Sequence, residues 1–157
     1  MDTDRAAIEN LIAQSHFLID TGRWSEVSDS IFAVEEDGVV PEADFGFAVW
    51  TGTDGIRAGF DSSLPRFEAA FHAYTNLHVV VDGDAAEARY YMQGWHWVGR
   101  PEGIGEARPA DFLVLGIMTD QLIRQRVGWR VRHRRLARVG PGDAVGQLPT
   151  FLAGLGE

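Results

Sequence analysis

Apolar positions in the first 32 residues follow the period of α-helices. Residues 8–19 carry apolar side chains at near-helical spacing, with Thr3 or Asp4 available to cap the start and Gly22 to stop the end. A shorter apolar face over residues 24–32 predicts a second helix. Residues 45–50 are then predicted to form a strand.

A third helix is predicted to begin at Thr53 or Asp54, with Pro65 kinking or dividing it and His72 closing it. A histidine that follows a helix commonly bonds the last carbonyls, which is a purely structural role. The buried side of this helix would consist of apolar residues at helical spacing: Ile56, Phe60, Leu64, Phe67 and Phe71.

From Leu77 onward the pattern predicts strands over residues 77–81, 86–98, 112–118 or 112–124, and 129–139, with a Gly- and Pro-rich loop at 99–109. Helices that precede an antiparallel sheet indicate an α+β fold. Three helices on one face of a curved sheet leave a cone-shaped pocket between the layers. We expect one domain over residues 1–139, and a tail, residues 140–157, that covers the pocket mouth or a subunit contact.

Composition removes several classes of chemistry. The 157 residues suit one domain, and the absence of cysteine and lysine excludes disulfides, thiol nucleophiles, Schiff bases and a P-loop. A net charge of −9 argues against nucleic acid or an anionic membrane as partner. The N-terminus has no signal-peptide pattern, and no apolar run approaches the roughly 20 residues of a membrane span. We expect a soluble, cytoplasmic protein.

Seven arginines and no acidic residues fall within residues 121–139. In the last predicted strand, Arg130, Arg132, Arg134 and Arg138 alternate with less polar residues, which predicts one solvated face and one buried face. The acidic surplus elsewhere can supply ion-pair partners. We therefore interpret these arginines as a solvated strand face, and phosphate binding is the less favoured interpretation.

Histidines and one aspartate are the candidates for chemistry. Asp20 ends the first helix, where the helix dipole disfavours a carboxylate unless a cation lies beside it. His16 would share its helix face. His96 shares a strand face with Tyr90 and Met92, so it is either a packed core residue or a pocket group. Each residue also has a structural interpretation, such as a solvated carboxylate or a satisfied core histidine.

Four segments carry a resemblance to a known family: AIENLIAQSHFLIDTGRW, WTGTDGIRAGF, HAYTNLHVVVDGDAAEARYYMQGWHW and TDQLIRQRVGWRVRHRRL. In this order and spacing the chain resembles the SnoaL-like branch of the nuclear-transport-factor-2-like superfamily, from Asp4 to about Leu136. The resemblance implies an α+β fold, a cone-shaped barrel of a curved, mostly antiparallel sheet wrapped around three N-terminal helices.

Within that superfamily the chain is similar to the scytalone dehydratase-like group, in which an Asp ending helix 1 and two histidines perform acid–base chemistry. Asp20, His72 and His96 stand at the matching positions. Ile19 replaces the group's tyrosine, and Gly116 and Met118 replace its polar pair, which argues against scytalone as the substrate. Members of the limonene-epoxide-hydrolase type use Asp–Arg–Asp instead, and Asp111 and Asp120 lie in the corresponding strand.

The resemblance implies a lyase or isomerase, with no cofactor or metal, that dehydrates, isomerises or cyclises a small hydrophobic polyketide or terpenoid intermediate. His96, oriented by Asp20, would act as general base or acid, with His72 as the second proton-transfer group. The predicted substrate-binding residues are His16, Phe47, Trp50, Tyr74, Asn76, Tyr90, Met92, Phe112 and Met118.

Two alternatives remain open on the sequence. A non-catalytic ligand-binding or association subunit of the same fold predicts that Asp20 and His96 lie beyond hydrogen-bond reach. A metal-dependent enzyme ranks behind it, with two histidines and an aspartate as ligands. For all of these functions we expect a homodimer or homotrimer, because one strand face carries three large aromatic side chains, Tyr91, Trp95 and Trp97.

Overall fold

The computed structural model describes residues 2–99, 108–139 and 145–146, which form three α-helices and a curved sheet, with two short strands preceding the third helix. The helices are α1 (Asp2–Asp20), α2 (Val27–Ile31) and α3 (Gly52–Ser63), with 3₁₀ turns at Trp24–Glu26 and Leu64–Arg66. The strands are β1 (Glu42–Asp44), β2 (Val49–Thr51), β3 (Phe67–Asp82), β4 (Ala85–Val98), β5 (Phe112–Gln125), β6 (Gly128–Arg138) and β7 (Val145–Gly146).

The sheet is open and almost wholly antiparallel. Its strand order is β2-β1-β6-β5-β4-β3, so β2 and β3 lie at its two ends, and β7 pairs with the start of β5. Only the β1–β6 pairing among these strands is parallel. The α+β cone with three helices against a curved sheet is therefore confirmed. The predicted domain end at residue 139 stays a prediction, because most of the tail lies outside the described residues.

Helix α1 ends where the sequence predicts. Gly22 has a φ of +75°, a left-handed conformation that glycine adopts without a Cβ penalty. The N–H of Arg23 donates to the carbonyl of Leu18 at 2.7 Å, which satisfies one of the last helical carbonyls. This stop fixes the position of Asp20, the last residue of the helix.

The core lies between the helices and the concave face of the sheet. Residues with the predicted period of two on β4 point inward: Tyr90 is 2% exposed and Met92 5%, whereas Tyr91 on the opposite face is 47% exposed. Ile8 and Ile12 of α1 are fully buried against this face. Burial of each such side chain contributes roughly 1.5–3 kcal/mol to folding. The helices therefore cover the sheet through one apolar face each.

The third helix is shorter than predicted. It ends at Ser63, Pro65 falls in a 3₁₀ turn, and β3 begins at Phe67. Proline has no N–H for a further helical bond and disfavours a helical residue before it, so the helix stops there. The predicted placement of Phe67, Phe71 and His72 on the helix is therefore wrong. All three lie on β3, which pairs with β4 from Phe67 onward.

The strand predicted over residues 45–50 is also incorrect in its bounds. These residues include the turn of a short hairpin, in which the N–H of Phe45 donates to the carbonyl of Ala48 at 3.0 Å. Gly46 in the turn has a φ of +78°. The two strands on either side are only three residues long each, so their alternation is too brief to locate the turn between them.

The last strand contains a bulge that changes which arginine faces the core. Val131 pairs with Leu122 and His133 with Gln121, so Arg132 is an extra residue between two successive pairs. Because of this extra residue, the alternation of β6 shifts by one beyond Arg132, and side chains that would otherwise point outward point inward. Arg134 is 1% exposed and lies on the concave side, which corrects its predicted place on the solvated face. Arg132 and Arg135 remain exposed.

Replacement by alanine should have opposite effects on the free energy of unfolding at two glycines of α3. A Cβ on Gly59 would overlap the indole of Trp50, lying 2.6 Å from its Cε3, whereas a Cβ on Gly55 would have nothing within 4 Å. We expect Gly59→Ala to lower the free energy of unfolding by about 1–3 kcal/mol, because overpacking outweighs the gain in helix propensity. Gly55→Ala should raise it by roughly 0.5–1 kcal/mol.

Urea unfolding of both variants and the wild type measures this difference, with Gly55→Ala as the control for the change in propensity alone. Equal stability of the two variants would contradict the packing of Trp50 against α3.

Over the described ranges, no helix is both long and apolar enough to cross a membrane.

Candidate active site

A cavity opens between α1, α3 and the concave face of the sheet, with about 760 Å³ of space when its mouth is included. Its walls are mostly apolar. Six of the residues predicted to bind substrate line it: His16, Phe47, Trp50, Met92, Phe112 and Met118. The polar side chains along its wall are those of His16, Ser63, His72, His96 and Arg134.

Four other predicted site residues lie outside the cavity wall. Tyr74 and Tyr90 pack against the ring of His16, with centroids 5.4 and 6.0 Å from it. Asn76 sits at an irregularity of the β3–β4 pairing, exposed and with a φ of +57°. Asp20 reaches the cavity only through His72, and faces a separate surface pocket.

Asp20 and His72 form a two-point pair at the end of α1. The carboxylate oxygen Oδ2 of Asp20 accepts the backbone N–H of His72 at 2.8 Å, and Oδ1 lies 2.6 Å from Nδ1 of the same residue. Both side chains are largely buried, 16% and 11% exposed respectively. An ionised carboxylate only accepts, so Nδ1 of His72 carries a proton, and in the neutral imidazole the lone pair is then on Nε2.

This pairing corrects the predicted one, in which Asp20 orients His96. The cause is the longer β3: because the strand starts at Phe67, His72 lies beside the last turn of α1 rather than at the end of α3. Each oxygen of Asp20 is engaged by His72. The Asp–His unit therefore exists, but with the other histidine.

His96 lies next to His72 and is surrounded by aromatic side chains. Its ring stacks on Phe112, with centroids 4.5 Å apart and planes at 5°, and meets the His72 ring edge-on at 5.2 Å. Nδ1 of His96 is buried and has no hydrogen-bond partner. Burial, and then the neighbouring His72, lower the pKa of His96 to about 3. His96 is therefore a neutral imidazole near neutral pH, able to donate at one nitrogen and accept at the other.

Gly94 gives the two imidazoles room to meet. It pairs directly with His72 across the strands and precedes His96 by two residues on the same face of β4. A Cβ there would lie 2.9 Å from Cε1 of His96 and 3.1 Å from Nε2 of His72. A glycine in the middle of an aromatic strand is thus the sequence feature that marks the site.

His16 extends the row of imidazoles toward the inner end of the cavity. Its ring is nearly parallel to that of His72, with centroids 5.8 Å apart and planes at 9°. Its Nδ1 is buried without a hydrogen-bond partner. Burial, and then the neighbouring Arg134 and His72, hold the pKa of His16 well below its usual value. Like His96, it is a neutral imidazole near neutral pH.

The charged pair of Asp120 and Arg134 is the part of the site that the sequence did not predict. The two residues lie directly opposite each other on β5 and β6. Nε and Nη2 of Arg134 donate to the two carboxylate oxygens of Asp120 at 2.8 and 2.7 Å. On β5, Asp120 alternates with Met118 and Leu122 on the face that points inward. This alternation places a carboxylate in the core and could have indicated from the sequence that a buried cation lies nearby. Asp111, in contrast, binds Arg108 before β5 begins.

Metal binding gains no support from this arrangement. Among the residues that the structure describes, no group of three or more histidine, aspartate or glutamate side chains is placed to hold a metal ion.

Comparisons with known proteins agree with this fold. The family model of the SnoaL-like domain matches residues 3–135. The protein Kfla4162 from Kribbella flavida is 24% identical, with 97% of each chain covered and a TM-score of 0.68. A candidate dehydratase of the NTF2-like family from Streptomyces avermitilis is 18% identical over 88% of this chain and 97% of that one, with a TM-score of 0.72. A candidate scytalone dehydratase from Novosphingobium aromaticivorans is 16% identical, covers 92% and 93%, and has a TM-score of 0.70. No curated protein sequence matches the chain.

Proposed function

Because the chain belongs to the family of SnoaL-like domains, we propose that it is a lyase or isomerase that moves protons on a small hydrophobic cyclic intermediate, of polyketide or terpenoid type, without a cofactor. One observation carries this proposal. Two imidazoles line the same apolar cavity side by side, one held by a carboxylate and the other without a partner at Nδ1. Such a difference in setting is what assigns separate roles to two groups of the same type.

His72 is the proposed general base. Asp20 fixes the proton on Nδ1, so Nε2 can take a proton from the carbon next to a carbonyl, and the carboxylate stabilises the imidazolium that forms. In an isomerisation, the imidazolium returns this proton to another carbon of the same molecule. In a dehydration, the proton leaves with the hydroxyl group as water.

His96 is the proposed second group. As a neutral imidazole it donates a hydrogen bond to the departing or migrating oxygen function and keeps its own proton, while the imidazolium of His72 supplies the proton that leaves with the hydroxyl group. Phe112 stacks on the ring and fixes its plane, so the donor direction is set before a substrate enters. The apolar walls exclude water from the charged intermediate and favour a ring-shaped, hydrophobic substrate.

Exchange of α-protons in 2-tetralone, followed by proton NMR in D₂O, tests the proposal without the natural substrate. We expect the wild type to accelerate exchange above buffer, and His72→Gln and His96→Gln each to lower that acceleration by about 10²–10⁴-fold. His78→Gln is the matched control, because His78 is exposed on the same strand as His72. No acceleration by the wild type, or equal rates in the three variants, would contradict the proposal.

The non-catalytic alternative has one observation in its favour. Each oxygen of Asp20 is engaged by His72, so the Asp20–His96 bond that an enzyme of the predicted type would use is absent. Binding of 2-tetralone without accelerated exchange would support a ligand-binding subunit. For either function we propose a homodimer or homotrimer that covers the outer sheet face around Tyr91, which is 47% exposed. Trp95 and Trp97 of the predicted contact are half-buried on this face, and Phe71 and Ile117 are 55% and 36% exposed.

A further inference from the structure

A buried polar group of four residues, Ser15, Tyr90, Asp120 and Arg134, borders the cavity through Arg134 and is here called the Arg134 cluster. Arg134 donates through Nη1 to Oγ of Ser15 at 2.7 Å and through Nε and Nη2 to Asp120. The hydroxyl of Tyr90 donates to Oδ2 of Asp120 at 3.0 Å. Burial raises the pKa of Tyr90 well above its usual value, so this hydroxyl keeps its proton.

The cluster holds Arg134 in place but leaves part of its donor capacity unused. A guanidinium has five N–H groups. Three of those on Arg134 are engaged by Asp120 and Ser15, which leaves one on Nη1 and one on Nη2. The side chain also lines the cavity wall. Burial disfavours the charged guanidinium, yet Asp120 more than offsets this and raises the pKa of Arg134 above its usual value, so the group stays cationic.

His16 is a second, independent sign that this end of the cavity receives a polar group. It is 5% exposed, lines the same cavity and carries a buried Nδ1 without a partner. A buried polar atom left unsatisfied costs roughly 1–3 kcal/mol, so folded proteins keep few of them without a functional reason. The hydroxyl of Ser63, by comparison, is already satisfied by the Gly59 carbonyl at 2.7 Å.

We propose that Arg134 and His16 form a binding site for one acceptor oxygen of the substrate, the carbonyl or enolate oxygen of a cyclic ketone. Arginine donates and never accepts, so the ligand atom must be an acceptor. An enolate oxygen gains more from a cationic donor than the parent carbonyl does, so the same contact stabilises the charge that develops when His72 removes a proton. This catalytic consequence rests on the proposed function, whereas the binding site itself does not.

The row of imidazoles places this site next to the proposed base. The ring of His72 lies 5.8 Å from that of His16 and 5.2 Å from that of His96, and Arg134 is near enough to His16 to lower its pKa. A cyclic ketone with its oxygen at the inner end therefore presents its α-carbon toward His72. Arg134 faces inward because the bulge at Arg132 exchanges the two faces of β6.

The test compares two ligands that differ only in the carbonyl group, 2-tetralone and tetralin, by calorimetric titration of the intact protein. A hydrogen bond to a charged donor contributes about 1.5–3 kcal/mol, so we expect the wild type to prefer the ketone by roughly 10–150-fold. Arg134→Lys removes the planar fork but keeps the charge beside Asp120, and His16→Phe removes the second group without touching the ion pair. Each should reduce the preference to about threefold or less.

Arg132→Lys is the matched control, because it makes the same change on the same strand at an exposed position. The infrared stretch of ¹³C-labelled 2-tetralone carbonyl gives a second measurement: it should shift to lower frequency in the wild type and the control, and less in Arg134→Lys.

Three results would overturn the site: no binding of 2-tetralone, equal affinity of the wild type for the two ligands, or loss of the ketone preference in His96→Gln rather than in Arg134→Lys and His16→Phe. Failure of the proposed function has a different outcome. A retained ketone preference without accelerated α-proton exchange would leave the oxygen site standing and remove the catalytic proposal.

Discussion

Asp20→Asn lowers the rate of α-proton exchange in 2-tetralone by about 10²–10⁴-fold and leaves the fold intact. The expected loss comes from the tautomer of His72. Asp20 accepts from both the backbone N–H and Nδ1 of His72, at 2.8 and 2.6 Å. An asparagine has one accepting oxygen and one donating NH₂, so it cannot satisfy both donors.

The backbone N–H of His72 has a fixed proton, and the asparagine oxygen therefore takes that bond. Its NH₂ then faces Nδ1, which must become the acceptor, and the imidazole proton moves to Nε2. Nε2 is the atom proposed to remove the substrate proton, so the base is lost although every residue stays in place. Asp20 acts in this scheme as a positioning residue for His72.

Nitrogen-15 NMR of the imidazole distinguishes this effect from a loss of structure, because the chemical shifts of Nδ1 and Nε2 should exchange between wild type and variant. Asp61→Asn, at an exposed position of α3, is the control for the same change of side chain. A variant with unchanged exchange rate, or one whose rate falls while the tautomer stays the same, would contradict the role of Asp20.

The architecture could be predicted from the sequence wherever one residue or one period decides the local structure. Gly22 ends α1, and Gly83, with a φ of +59°, forms the turn between β3 and β4. The alternation on β4 correctly placed Tyr90 and His96 on the concave face, because one side of that strand is buried and the other is not.

The first half of β3 could not be predicted in this way. Phe60, Leu64, Phe67 and Phe71 have helical spacing, and the burial along β3 does not alternate cleanly, so no period of two appears. What makes residues 67–76 a strand is their pairing with β4, a contact between segments that are distant in sequence. Such pairing overrides local preference and is invisible to a window of neighbouring residues.

The proximity of three predicted site residues is observed, but the hydrogen bonds between them differ from the prediction. Asp20, His72 and His96 do lie near one another, yet the partner of Asp20 depends on where β3 begins. Arg134 was missed for a similar reason. One extra residue, Arg132, reverses the inward and outward positions of the strand beyond it. The residue types in the arginine run do not indicate where this bulge occurs.

Asp120→Ala should lower the free energy of unfolding by about 3–5 kcal/mol. Asp120 is fully buried and accepts two hydrogen bonds from Arg134 and one from Tyr90. Its carboxylate is the counter-charge that offsets the cost of burying the guanidinium. Removing it leaves a cation without a counter-charge in a medium of low dielectric constant. Desolvation of that charge, rather than loss of the bonds themselves, dominates the expected cost.

Asp84→Ala is the matched control. Asp84 also pairs with an arginine, Arg124 at 3.0 Å, but its side chain is 80% exposed, and exposed pairs contribute only about 0–1 kcal/mol.

The double variant Asp120→Leu with Arg134→Met removes both charges together and should recover most of the stability. Urea midpoints measure all three proteins, and soluble expression of the double but not the single variant gives the same answer if Asp120→Ala fails to fold. Equal loss in Asp120→Ala and Asp84→Ala would show that burial does not set the strength of this pair.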